Sequence, residues 1–229
     1  MVGSLEGRLH EVQDRIVTAA ERAGRSAADI TLVAVGKGRA LDRLVQAWHA
    51  GVRDFGENRV QEAKSKLTAW DPALSATWHL IGHLQTNKAR DAAKAFEWIH
   101  SIDSLRVARA IDRAADQRAP QLLLEVNYGR EANKFGFDPA ELAVLLPELA
   151  ALSHVRILGL MTVAPVATMA EDVRPVFRGM RELRDRLAEQ LPRVPLPHLS
   201  MGMSGDFEVA IEEGATMVRI GSAIFGALS

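Results

Sequence analysis

The sequence predicts an α/β protein built as a single (β/α)8 barrel of the TIM type, preceded by one extra helix. Two observations carry this expectation. Short β-branched runs alternate with helix-period segments about eight times along the chain, which implies parallel strands joined by right-handed crossovers. The length of 229 residues matches the roughly 200–250 residues such barrels use, whereas an open doubly wound sheet usually runs fewer strands.

Each element follows from its own pattern. Over residues 5–23, Leu5, Leu9, Val12, Ile16, Ala19, Ala20 and Ala23 recur three and four apart, an amphipathic helix closed by Gly24. Ile30 to Val35 is a short apolar run ending in Gly36-Lys37-Gly38 and reads as a buried strand. A helix over 41–50, closed by Gly51, and a strand around Asp54-Phe55 come next. The alternation then continues with helix 59–69, strand 77–81, helix 86–95, strand 98–101, helix 104–118 and strand 121–127. Helix 139–152, strand 157–161, a long helix over about 169–190, strand 197–200, helix 206–213 closed by Gly214, and strand 217–220 complete it. No linker rich in Gly, Ser or Pro divides the chain. Residues 1–229 are therefore expected to form one domain, with residues 1–24 as a helix packed on the barrel.

Composition narrows the function. Hydrophobic residues at 48% and charged residues at 25% belong to an ordinary folded globule. Lys plus Arg number 28 against 29 Asp plus Glu, a formal charge of −1, which gives no global reason to bind nucleic acid or an anionic membrane. The absence of cysteine removes disulfides, thiolate metal sites and a cysteine nucleophile. The first residues lack the basic-then-apolar order of a signal peptide, and no apolar run approaches the roughly 18 residues of a membrane span. The expected location is the cytoplasm.

In such barrels the chemistry sits in loops after the carboxyl ends of the strands. Among the six lysines, Lys37 alone directly follows an apolar strand, with glycine on both sides. An ammonium at the end of a buried strand is expected to be partly desolvated, and so a better amine nucleophile toward a carbonyl. A solvated strand-end lysine is the plain alternative. Gly36-Lys37 is not a P-loop, since Thr31 and Gly38 stand where glycine and Ser or Thr are required.

The loops after the seventh and eighth strands, His198-Leu-Ser-Met-Gly-Met-Ser-Gly-Asp206 and Met217-Val-Arg-Ile-Gly-Ser222, are placed to build a phosphate site. Ser204, read as a helix N-cap, and Ser222 supply hydroxyls there, and Gly221 allows close approach. Arg219, between Val218 and Ile220, points into the barrel if its neighbours point out; its partner is then an acidic side chain or a ligand acceptor. His79 and His83 sit on a strand and its loop, a poor zinc pair, so no metal is expected. Tyr128, the lone tyrosine, faces the site or merely covers it.

A strand-end lysine, a phosphate cradle and an inward arginine together point to pyridoxal phosphate. The chain resembles the pyridoxal-phosphate homeostasis protein family, whose fold is like the barrel domain of alanine racemase. The resemblance rests on Val33-Ala-Val-Gly-Lys37, Phe55-Gly-Glu-Asn58, Trp78-His-Leu-Ile-Gly82 with Leu84-Gln-Thr-Asn-Lys88, Gly159-Leu-Met161, Leu199-Ser-Met-Gly-Met-Ser204 and Met217-Val-Arg-Ile-Gly221.

The resemblance implies that Lys37 forms an internal aldimine with the cofactor. It also implies that Ser204, Gly221 and Ser222 hold the phosphate, that Met201 lies beside the ring or phosphate, that Arg219 faces the pyridine nitrogen and that Asn58 lies near the ring. Gly36 and Gly38 stand where the family often has Ser and Thr, and His83 where Pro is common. These departures are expected to loosen the lysine loop or add a titrating group at the mouth.

Racemases of this fold add a second domain with a tyrosine base, which this sequence is expected to lack. The implied function is buffering of pyridoxal 5'-phosphate and its delivery to apo-enzymes, without established catalysis and with effects on amino-acid balance. The alternatives are a weak amino-acid racemase and a lysine Schiff-base aldolase. The expected state is a monomer, with a dimer as alternative.

Overall fold

In a computed structural model, which describes residues 3–115, 119–129 and 135–227, eight parallel strands close into a barrel in sequence order. The strands are β1 (Thr31–Val35), β2 (Asp54–Glu57), β3 (Thr77–Leu80), β4 (Trp98–Ile102), β5 (Gln121–Glu125), β6 (Arg156–Met161), β7 (His198–Ser200) and β8 (Met217–Ile220). Closure comes from β8 pairing back onto β1, which sets Val33 opposite Arg219.

The helices are α1 (Leu5–Arg22), α2 (Leu41–His49), α3 (Val60–Ala69), α4 (Ala89–Ala95), α5 (Leu105–Ala114), α6 (Pro139–Ala150), α7 (Arg174–Gln190), α8 (Phe207–Glu212) and α9 (Ser222–Phe225). The expected helix over 104–118 ends at Ala114, and residues 116–118 and Lys134 lie outside the described residues.

Two expected helices begin with a 3-10 turn instead. Thr86–Lys88 leads into α4, and Ala170–Val173 leads into α7. In the second case the Asp172 carboxylate accepts the Met169 N–H at 3.1 Å, and Pro175 at the start of α7 needs no amide partner.

The strand period of two separates two kinds of wall. Outward residues such as Ala34, Phe55, Leu80, Leu122, Leu199, Val218 and Ile220 are fully or nearly fully buried against the helices. Phe55, Trp70 and Trp78 form an aromatic cluster there, with ring centroids 5.3–5.6 Å apart. Each such side chain contributes roughly 1.5–3 kcal/mol on burial. Inward, Trp98, Leu123, Leu158, Met161 and Met217 fill the barrel. Polar side chains share that interior: His79, His100, Ser200 and Arg219 are all at most 4% exposed.

The extra helix α1 is tied to the last third of the chain. Arg15 pairs with Glu208 of α8 at 2.6 Å, and the Arg25 guanidinium, just beyond α1, donates to the carbonyls of Ile211 and Ala215. No helix among the described residues is long and apolar enough to cross a membrane.

Candidate functional site

A cavity of about 410 Å³ opens at the carboxyl ends of the strands. Lys37, Asn58, Ser204, Arg219, Gly221 and Ser222 all line it, so the barrel brings together six residues that sequence reasoning singled out separately. Met201 is the exception. Its side chain is fully buried in the outer core, because its alternation along the chain points it toward the helices, and Met203 lines the cavity instead. A larger depression of about 560 Å³ lies away from the strand ends, among α4 and α5.

The lysine loop is built from below. Gly36 N–H donates to the carbonyl of Gly56 at 2.9 Å, continuing the sheet by one residue. The Lys66 ammonium donates to the Gly36 carbonyl at 2.7 Å and to the carboxylates of Glu57 and Glu62 at 2.6 and 2.8 Å. Glu62 in turn accepts the Gly38 N–H at 2.7 Å. These bonds tie the loop at Gly36 and Gly38.

Each glycine is demanded locally. A Cβ at Gly36 would sit 2.5 Å from a Glu57 carboxylate oxygen, and Gly38 adopts φ +67°. Burial pushes the Glu57 carboxyl up to about 7, against the hydrogen bond and charge of Lys66. For Glu62 burial also works upward, but Lys66 and the Gly38 amide carry its carboxyl below the usual range.

Lys37 itself is exposed and has neither an ion pair nor a hydrogen bond among the described residues. The expected partial desolvation is not met: the loop lifts the side chain past the strand end into the mouth. Asn58 lines the same cavity, and its buried Oδ1 has no hydrogen-bond partner among the described residues. An acceptor left so inside a fold costs about 1–3 kcal/mol unless something else satisfies it.

On the opposite wall, Ser204 is not a helix cap. Asp206 takes that position before α8 and accepts the Met203 N–H at 2.6 Å, while the Ser204 hydroxyl accepts the Ala223 N–H of α9 at 3.4 Å. This bond draws the loops after β7 and β8 together, and Ser204 and Ser222 both line the cavity.

Arg219 forms part of the floor. Val218 and Ile220 pack outward, so its side chain points in. It donates to the Ser200 hydroxyl at 2.6 Å and to the Thr162 carbonyl at 2.8 Å. Both partners are neutral. Burial lowers its pKa to about 10, with Glu125 and Asp206 acting in the opposite direction.

The remaining candidates separate. His79 lies inside the barrel, whereas His83 pairs with Asp103 at 3.0 Å and stacks on Phe135. Tyr128 lies against α7, where a Cβ at Gly179 would strike its ring at 2.2 Å; it covers a helix rather than facing the cavity.

Sequence reasoning missed Lys66 and His100. Lys66 had a signal: Val60, Ala63 and Lys66 fall three apart on the buried face of α3, where a lysine needs an anionic partner.

Comparison with known proteins agrees with this geometry. Residues 8–229 match the family described as alanine racemase, N-terminal domain. The pyridoxal phosphate homeostasis protein of Aquifex aeolicus (strain VF5) is 45% identical over 221 residues, covering 96% of each chain. The structure of PipY of Synechococcus elongatus PCC7942 with PLP bound superposes with a TM-score of 0.85 at 39% identity, over 97% of this chain and all of that one. Alanine racemase of Clostridium difficile 630 shares the fold at 17% identity and a TM-score of 0.74, with 57% of its length covered. The chain belongs to the pyridoxal phosphate homeostasis proteins of the alanine racemase N-terminal-domain family.

Proposed function

We propose that this protein binds pyridoxal 5'-phosphate through Lys37 in the open mouth of its barrel, buffers the cytoplasmic supply of that cofactor, and releases it to apo-enzymes. The observation that carries the reading is Lys37. It is an exposed amine without a partner among the described residues, and it lines one cavity with Ser204, Ser222 and the donor-only guanidinium of Arg219.

The residues fit such a ligand chemically. The unpartnered Oδ1 of Asn58 marks polar capacity that the fold leaves unused. When bound, the cofactor supplies an aldehyde that condenses with a primary amine, with loss of water. Lys37 provides that amine. Ser204 and Ser222 would donate to the phosphate, with Gly221 allowing close approach, and Arg219 would offer N–H groups to the ring nitrogen.

A buffering role rather than turnover is supported by two features. The Lys37 side chain is exposed, and carbanion chemistry favours excluded water. Tyr128, the only tyrosine, packs on α7 away from the cavity and so is not positioned as a base. A monomeric state belongs to the same reading.

Borohydride reduction of the loaded protein followed by peptide mapping tests it. The expected result is the cofactor fixed on Lys37, with no fixed cofactor in the Lys37→Ala variant. Modification elsewhere, with Lys37 free, would overturn the reading. Transfer to an apo-enzyme faster than from free cofactor at equal concentration supports delivery, whereas steady α-proton exchange on an amino acid would favour the racemase alternative.

A further inference from the structure

A chain of five side chains, joined by four hydrogen bonds, runs through the barrel from the cavity floor toward the opposite mouth. Arg219 donates to the Ser200 hydroxyl at 2.6 Å. Ser200 Oγ lies 2.9 Å from His100 Nδ1, His100 Nε2 lies 3.0 Å from His79 Nδ1, and His79 Nε2 lies 3.0 Å from the Asp54 carboxylate. Asp54 opens β2 at the amino-terminal end of the barrel, and Arg219 reaches the carboxyl-terminal cavity. Trp98 braces the column, stacked on His79 with 6° between planes and standing edge-on to His100.

Donor and acceptor arithmetic gives the chain a direction. A guanidinium only donates, so Ser200 Oγ accepts from Arg219. The serine has one hydroxyl proton, and His100 Nδ1 is the only further polar atom the structure sets against that oxygen among the described residues. If His100 carried its proton on Nδ1, the serine proton would be buried with no acceptor. Ser200 therefore donates to Nδ1, His100 carries its proton on Nε2 and donates to His79 Nδ1, and His79 donates from Nε2 to Asp54. Every bond points from Arg219 to Asp54.

The charged and titratable groups around the column agree with a neutral His100. Arg219, with Glu125 and Asp206 near it, lies above; His198 lies beside Trp98; Asp54 lies below. Full burial, and then the neighbouring His79, Arg219 and His198, hold the His100 imidazole well below its ordinary titration range.

We infer that His100 and His79 are positioning residues: acting through Ser200, they lock the Arg219 guanidinium in one orientation, so that its remaining N–H groups face the cavity as a fixed donor edge. The orienting chain stands on geometry alone. Its consequence for the ring nitrogen of pyridoxal phosphate rests on the reading proposed above.

Two measurements test it. In the ligand-free protein labelled with ¹⁵N, long-range histidine spectra should show His100 neutral at pH 7 with its proton on Nε2, and His79 donating from Nε2 with its Nδ1 as an acceptor. A proton on Nδ1 of His100, or a doubly protonated ring there, overturns the chain whether or not any ligand binds.

The second measurement is pyridoxal phosphate affinity of two variants, followed by the cofactor's absorbance. The His100→Gln amide still accepts from Ser200 and donates to His79, and should stay within about threefold of the parent. His100→Leu breaks the chain and should weaken binding at least tenfold. Equal losses, or no loss in either, overturn the positioning role. A parent that binds no cofactor refutes the proposed function while leaving the histidine spectra to decide the chain.

Discussion

The mouth of the barrel and its interior treat polar groups in opposite ways. Inside, Arg219, Ser200, His100, His79 and Asp54 hand each hydrogen bond to the next, so that a buried polar column completes itself. At the mouth, Lys37 stands free of ion pairs and hydrogen bonds among the described residues, and the buried Oδ1 of Asn58 is unpartnered. The fold spends its interior polarity on itself and leaves that of the mouth for something else. Beneath the mouth lies an intermediate zone, where Lys66, Glu57 and Glu62 pin the lysine loop without reaching the cavity.

The largest stability effect should come from that intermediate zone. The Glu57 carboxyl ionises at about 7 in the folded protein, against an ordinary value of 4.5. Between those pH values the unfolded chain gives up this proton and the folded one keeps it. Stability due to Glu57 is thus full below pH 4.5 and declines as pH rises through 7. Glu57→Gln stays neutral, so it should match the parent at pH 4.5 and exceed it at pH 8 by about 2 kcal/mol in urea unfolding. A parent more stable than the variant at pH 8 would show that the charged cluster supports the loop, and would place it with the self-completing interior.

A comparable or slightly smaller loss is expected for Gly36→Ala. The new methyl would meet Glu57 at 2.5 Å and Leu44 at 3.0 Å, so overpacking should cost about 1–2 kcal/mol and displace the Lys37 loop. Thermal unfolding without any change would mean that Glu57 moves aside freely, and the loop would then count as part of the soft mouth.

The smallest effect on folding, and the sharpest contrast, belongs to Asn58→Ala. Removing an unpartnered buried acceptor should not lower the stability of the ligand-free protein, and should raise it by up to about 1 kcal/mol, while weakening pyridoxal phosphate binding about tenfold. If unfolding experiments instead show a loss as large as that of a buried hydrogen-bonded group, Asn58 has a structural partner and the distinction between the two regions fails.

Most of the scaffold was legible because it is written in local chemistry. The apolar run through Val33 and Ala34 into Gly36, the caps at Gly24 and Gly51, and the eightfold alternation all act within a few residues of themselves. Lys37 stood out because it directly follows an apolar run with glycine on both sides, and Arg219 because a strand has two faces and its apolar neighbours show which one a charge must take.

What escaped depends on distant partners. Lys66 looked like one more helical lysine until β2 brought Glu57 against it. His100 attracted no notice in its strand, because its neighbours His79 and Ser200 lie 21 residues before it and 100 after it. Met201 went astray because a motif places a residue in a loop but does not say which way its side chain turns.

The pairing of the first strand with the eighth has a consequence for biosynthesis. The cavity draws Val35 and Lys37 from the early chain and Arg219, Gly221 and Ser222 from its far end, joined when β8 docks on β1. A ribosome that has released Lys37 but not the last strand holds one side of the cavity without the other. Stable capture of a ligand therefore waits for the closing strand, and retention of a coloured cofactor by the emerging polypeptide would mark the moment of completion.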